Sequence, residues 1–302
     1  MERKQAKGWY VCLYVLIINN QEMKQLQYIR DFNTGIKIKA FITGFVLALS
    51  PVILTAQATI GARSFAMGQT GTALINDSWS LFHNPSLLRT DKPTVSFYGM
   101  RYAGFIEITD VAAVLTANGL PGTIGTGIHR YGFDLFSETL FSLGYKNSLQ
   151  QLHYGILVNY RNITQGGGYG SASAISIDAG LAALIGHNLL LGTRLTNLNH
   201  ATYGSTDEGL PRELSIGLSY TLNEQLLFSG DAVKDVRFPL SLRSGIEFIP
   251  VPGFYARTGI STEPVTWSLG FGYETNQIFL NIAVQRHEVL GMSPALDFGM
   301  HF

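Results

Sequence analysis

From Thr94 onward, apolar and polar side chains alternate with period two in one run after another. Trp267, Leu269, Phe271 and Tyr273 are interleaved with Ser268, Gly270, Gly272 and Glu274. Leu214, Ile216, Leu218 and Tyr220 alternate with Glu213, Ser215, Gly217 and Ser219, and Leu242, Ile246 and Phe248 with Arg243, Gly245 and Glu247. Period two is the signature of a strand with one apolar face. No segment carries the i, i+3, i+4, i+7 spacing of an amphipathic helix over a useful length. Turn signals divide the region into about fourteen strands, near 94–101, 105–117, 121–132, 138–146, 152–161, 173–185, 188–198, 212–222, 225–234, 238–249, 253–262, 265–274, 276–286 and 292–302. That allows about 15 residues per strand and link, enough for a membrane-spanning strand of ~9–11 residues.

The links predict sidedness. Every second one is short and turn-like, as at Gly186-His187-Asn188, Leu222-Asn223-Glu224, Pro250-Val251-Pro252-Gly253 and Thr275-Asn276. The intervening set holds the two longest expected links, Asn162 to Ala172 and Asn199 to Pro211. Short turns on one side and long loops on the other are the asymmetry of an outer-membrane barrel. The expected fold class is all-β, a transmembrane antiparallel β-barrel. An even strand number returns both of its ends to one side, the periplasmic side in an outer membrane. The last strand alternates Leu296, Phe298, Met300 and Phe302 with Asp297, Gly299 and His301. A terminal apolar strand ending in an aromatic resembles the signal read by the outer-membrane assembly machinery, which places Phe298, Met300 and Phe302 in that role.

Charge follows the same register. Arg194, Arg243, Glu247, Arg257, Glu274 and Asp297 fall on the inward phase of their strands. An outward Arg or Lys at the bilayer midplane would cost ~2–4 kcal/mol. These lumenal charges either line a pore or form a salt-bridge network that closes it. Composition agrees with a lipid-facing surface. Only 14% of residues are charged, against 18 Phe, 14 Tyr and 33 Gly, where a soluble domain carries about 25% charged residues. With no basic excess, a nucleic-acid partner is excluded.

Lys37 and Lys39 precede an apolar run, Ala40 to Leu54, and Ala56-Gln57-Ala58 supplies a small-x-small cleavage pattern. Residues 1–58 are therefore an expected N-terminal extension and signal peptide, cut after Ala58 or alternatively Ala56, with translation starting at Met1 or Met23. An uncleaved anchor is the competing reading. Seven of the 21 basic and three of the 21 acidic residues lie in 1–58, so the mature chain keeps 14 basic and 18 acidic residues and loses its only cysteine, Cys12. No disulfide framework is possible in it.

Residues 59–93 are unlike the strand region. Gly61-Ala62-Arg63, then Met67-Gly68, Ala73, Asp77 and finally Asn84-Pro85-Ser86-Leu87-Leu88 make a pattern that resembles the N-terminus of FadL-like outer-membrane barrels. The likeness is greatest to the PorV/PorQ group associated with type IX secretion in Bacteroidota. Family members commonly read Asn-Pro-Ala-Gly-Leu where this chain has Asn84-Pro85-Ser86-Leu87-Leu88. The resemblance implies that 59–93 folds inside the barrel, 94–302, as a plug built on Gly61, Arg63, Met67, Gly68, Asp77, Asn84, Pro85 and Leu88. The residues themselves allow Asp77-Ser78 to cap a short helical turn from Trp79 to His83, which Asn84-Pro85 must end. A periplasmic tail is the alternative.

Three functions compete. The resemblance implies a docking or accessory role for secretion-system proteins. The wider fold group implies passage of small hydrophobic compounds, although the expected outer loops are short for a capture site. Catalysis has the weakest support. Seven His and many Ser are present, but none sits in a G-x-S-x-G turn or an H-E-x-x-H helix. Gly166-Gly167-Gly168 lacks a following Lys-Ser/Thr and reads as a flexible loop. No cofactor or metal is expected, and the partners beyond lipid and the assembly machinery are secretion components or hydrophobic solutes.

Overall fold

The computed structural model describes residues 59–302 apart from 103–104, 120, 168–169, 205–208 and 289–290. The expected signal peptide, its cleavage site and Cys12 lie outside the described residues. Fourteen strands run in chain order: β1 Thr94–Tyr102, β2 Phe105–Gly119, β3 Gly122–Phe133, β4 Phe136–Leu149, β5 Leu152–Gln165, β6 Gly170–Ile185, β7 Leu189–Leu195, β8 Glu213–Asn223, β9 Leu226–Asp235, β10 Ser241–Val251, β11 Phe254–Thr262, β12 Val265–Glu274, β13 Ile278–His287 and β14 Gly291–His301. Each pairs antiparallel with its sequence neighbours, and β1 pairs β14 from Thr94↔His301 to Met100↔Ala295, which closes the barrel. Closure removes the sheet edges that hydrocarbon cannot hydrate.

The alternation read from the sequence becomes two surfaces. On β12, Thr266, Ser268, Gly270 and Gly272 are buried inside, while Trp267, Leu269, Phe271 and Tyr273 are exposed outside. Phe271 is 63% exposed and Asp297, on β14, is 0% exposed. A soluble protein would invert that order. An apolar outer belt around a polar interior is the arrangement lipid requires. Aromatic pairs such as Phe97 with Phe298, centroids 5.4 Å apart, brace adjacent strands on the lipid side.

Two expectations change. The link expected from Asn162 to Ala172 is mostly strand, because β5 and β6 pair continuously from Leu152↔Ala183 to Gln165↔Gly170. Long loops on one rim thus reduce to a single long loop between β7 and β8. That loop turns back on itself through a Thr202↔Gly209 bridge and buries Tyr203 and Leu210 against Ala174. Second, the helical turn begins at Ser80 instead of Trp79, with Trp79 as its N-cap residue. The Asp77 carboxylate accepts from the Trp79 backbone N–H at 3.1 Å, from two residues ahead of the N-cap position.

Candidate functional site

The barrel lumen and the segment inside it form the candidate site. Residues 59–88 are mostly buried and touch inward positions around the wall. Helix α1, Ala62–Ala66, starts after Gly61, whose φ is +101°. A Cβ there would lie 2.4 Å from the Trp79 ring, so Gly61 serves both the turn and the packing. Helix α2, Ser80–His83, is followed by a 3₁₀ turn, Pro85–Leu87. Asn84 ends α2 in an extended conformation; its Oδ1 accepts from the Ser86 N–H at 3.1 Å, and its Nδ2 donates to the Thr72 carbonyl at 2.7 Å. The chain leaves the lumen past Leu88, whose carbonyl accepts from Lys146 Nζ at 3.0 Å.

One side of the wall holds the segment with charge. Arg63 donates through Nε and Nη2 to both oxygens of Glu247, at 2.9 and 2.8 Å. Arg257 donates to Glu247 Oε2 at 2.6 Å and to Asn281 Oδ1 at 2.7 Å. Asn281 in turn donates to Asp297 Oδ1 at 2.7 Å, and Asp297 Oδ2 accepts from the Ala62 backbone N–H at 2.6 Å and from Trp79 Nε1 at 3.0 Å. Two arginines and two carboxylates thus form one charge-balanced lattice from helix α1 through β10, β11, β13 and β14. A buried lattice is tolerable when every charge has a partner. Nearby, Asp231 accepts the Gly71 and Thr72 N–H groups at 2.8 and 2.9 Å, and Arg243 donates to the Gln69 carbonyl at 3.1 Å.

The other side holds it with apolar contact. Phe65, Trp79, Leu81, Phe82 and Leu88 cluster with Tyr98, Met100, Val114, Leu140 and Leu157, all inward positions on β1, β2, β4 and β5. Trp79 meets the Tyr98 ring edge-on at 5.7 Å. Glycines on the wall make room. A Cβ at Gly155 would lie 2.4 Å from the Pro85 carbonyl, one at Gly192 2.1 Å from the Thr72 oxygen, and one at Gly259 2.0 Å from the Gly68 nitrogen.

Arg63 bonds the wall at Glu247, Asp77 and Asn84 bond within the segment to the Trp79 N–H and the Thr72 carbonyl, Met67 and Gly68 lie against Gly245 and Gly259, and Pro85 lies on Gly155. The expected lumenal charges all face inward and are bonded. Arg194 donates to Asp178 at 2.7 Å and to the Phe82 carbonyl, while Glu274 accepts from Arg89 at 3.1 Å and contacts His301 Nε2 at 3.2 Å. His301, on the same inward phase, is buried between Thr94 and Glu274. Phe298 and Met300 face outward and Phe302 follows β14, its N–H bonded to the Pro93 carbonyl at 2.9 Å.

Sequence reasoning missed Asp178, Asp231 and Asn281, although each lies on the same inward phase that singled out Glu247. It also missed a cluster farther along the lumen, where Asp110 accepts from Tyr102 at 3.1 Å and meets His129 Nε2 at 2.9 Å. A cavity of about 200 Å³ remains where the short turns lie, lined by Arg63, Asp77, Arg89, Glu247, Tyr255 and Glu274 among others. Ser148 meets His153 at 2.7 Å on the exposed β4–β5 hairpin, at the opposite end of the barrel from the Asp110–His129 pair, so these two pairs do not combine into a nucleophile–base–acid array.

No family model matches the chain, and no curated protein does. Solved structures do share its fold. The CymD monoaromatic hydrocarbon channel matches with a TM-score of 0.60 at 12% identity, over 80% of this chain and 97% of that one. A mutant of the TodX monoaromatic hydrocarbon channel matches at 0.59 and 12%, over 80% and 98%. A Pseudomonas aeruginosa FadL homologue matches at 0.55 and 11%, over 81% and 98%.

Proposed function

We propose that this chain is a non-enzymatic barrel of the outer membrane that passes small hydrophobic compounds, with residues 59–93 as the plug that governs passage. The observation that carries this reading is the apolar stripe on the inner wall. Tyr98, Met100, Val114, Leu140 and Leu157 face the lumen, where a water-filled pore has no use for them. In the closed arrangement they are covered by Phe65, Trp79, Leu81 and Phe82. Any displacement of those four side chains opens an apolar lane along β1, β2, β4 and β5, and apolar solute can take up the surface that the segment gives up. That hydrocarbon channels share the fold supports the same cargo class. The ends of the barrel, both at the short-turn rim, are assigned to the periplasm, and the strand ending in Phe298, Met300 and Phe302 to recognition by the assembly machinery. A docking role in protein secretion rests on the motif resemblance alone, and no geometric feature adds to it.

The test is entry into cells of a porin-deficient strain that produces the mature protein. Toluene entry is expected to rise over the vector control while entry of a polar sugar of similar size stays at background. Equal acceleration of both, or a steady large ion conductance in planar bilayers, would overturn the reading.

A further inference from the structure

The loop between β7 and β8 is bonded, through the wall, to the segment inside the barrel. Arg194, one residue before the end of β7 and on its inward phase, donates through Nη1 to the Phe82 carbonyl and, at 3.4 Å, to that of His83. These are the last two residues of α2, where carbonyls need donors from outside the helix. Through Nη2 Arg194 also donates to Asp178 Oδ2 at 2.7 Å. Among the described residues its buried Nε has no partner, so Phe82, His83 and Asp178 carry the whole hold.

Asp178 lies on β6 just beyond the ladder to β7, which ends at Ala179↔Leu195. Its Oδ1 takes the backbone N–H of Asn197 there, at 3.0 Å. Asn197 has a φ of +51° and ties both arms of the loop: Oδ1 accepts from the Ala201 N–H at 2.7 Å, and Nδ2 donates to the Leu210 carbonyl at 3.2 Å. Leu210 is buried with Tyr203 on Ala174, beside Ile163 and Ala172, inward positions at the long-loop rim. One chain of bonds thus joins an apolar seat at the rim to Phe82, which covers the apolar lane. Asp178 and Asn197 are each 2% exposed, so neither can exchange a lost partner for water in place. Asn199 provides a contrast in the same loop, since its side chain bonds the Ile175 carbonyl and the Ile177 N–H and does not reach the segment.

We infer that Asn197, Asp178 and Arg194 form a relay that makes the seating of this loop a condition for α2 to stay over the lane. An apolar solute at the rim competes with Leu210 for the surface of Ile163, Ala172 and Ala174. When Leu210 leaves, Asn197 turns with it, Asp178 loses its N–H donor, and Arg194 is no longer held under the end of α2. The solute shifts this equilibrium because the unseated loop offers it apolar surface that the seated loop does not. The relay regulates the site proposed above and rests on that reading of the segment.

The test is thiol labelling of the purified mature protein, residues 59–302, which has no cysteine of its own. S80C reports on α2 and S64C on α1; both serines are 0% exposed. A maleimide should label S80C slowly, and roughly tenfold faster when D178N, N197G or L210A is added. D178N and L210A together should be no faster than D178N, because both break one chain. S64C should stay slow throughout, and N199A should leave S80C unchanged. Toluene should speed S80C labelling in the otherwise wild-type protein and add nothing in D178N. Wild-type rates in D178N, multiplying effects of D178N and L210A, equal release of S64C, or a toluene response that survives D178N would each overturn the relay. Heat-modifiable mobility on gels verifies that every variant is folded. Rates as expected, with no toluene entry into cells, would sink the cargo reading and leave the relay standing.

Discussion

The two halves of the lumen hold the same segment by different physics. Across β9 to β14 the wall offers Asp231, Glu247 and Asp297, which take up the backbone N–H groups of Ala62, Gly71 and Thr72 and the side chains of Arg63 and Trp79, with Arg257 and Asn281 linking Glu247 to Asp297. Across β1 to β5 it offers Tyr98, Met100, Val114, Leu140 and Leu157 to Phe65, Trp79, Leu81 and Phe82. The polar half is directional and fails in one step if a partner is lost. The apolar half is non-directional and tolerates sliding. A segment fixed on one side and greasy on the other can move away from the greasy side first, where hydrophobic cargo would enter.

Glu247→Ala should break the comparison most, because it leaves Arg63 and Arg257 buried without their shared carboxylate, a loss of about 3–5 kcal/mol. Thermal unfolding in detergent measures it, and a triple change of Arg63, Glu247 and Arg257 to apolar residues of similar volume should recover most of that loss. On the other half, Leu157→Ala should cost about 3 kcal/mol by cavity formation and speed toluene entry without opening an ion-conducting pore. If the two substitutions gave the same conductance, the halves would not differ as described.

Gly192→Ala is expected to cost about 1–3 kcal/mol, since its Cβ would lie 2.1 Å from the Thr72 oxygen. Protease cutting after Arg63 in folded protein checks whether the segment has lifted. The smallest effect belongs to Asp91→Asn at the short-turn rim. Partial burial there works against ionisation, but the Arg89 guanidinium outweighs it and holds the Asp91 carboxyl below its usual range. A depressed folded-state pKa means the pair stabilises above the ordinary carboxylate range and loses that contribution as pH falls through the lowered value. Because the Asp91 carboxylate is itself exposed, this is about 1 kcal/mol at most, so the variant and wild type should differ slightly at pH 7 and converge in acid.

Much of the barrel was legible because period two survives any rearrangement of neighbours. The strand expected over 265–274 is β12, and the terminal strand expected over 292–302 is β14, Gly291–His301. The inward phase likewise picked out Glu247, Arg257 and Asp297 before any contact was known. The link between β5 and β6 was misread because Gly, Ser and Asn signal a turn locally, while ladder bonds to a long neighbour extend strands through them.

What the chain determined by itself is the alternation, and with it the closed wall and the lipid-facing belt, since both follow from side-chain polarity at a local spacing. The tertiary structure alone decided which glycines matter and which charges meet. Thirty-three glycines count as composition in the sequence, yet Gly155, Gly192 and Gly259 are required only because Pro85, Thr72 and Gly68 come within a Cβ radius of them. Arg63 and Glu247 are 184 residues apart. No local rule pairs them, and only closure of the barrel around its own N-terminal segment brings the two charges within a hydrogen bond.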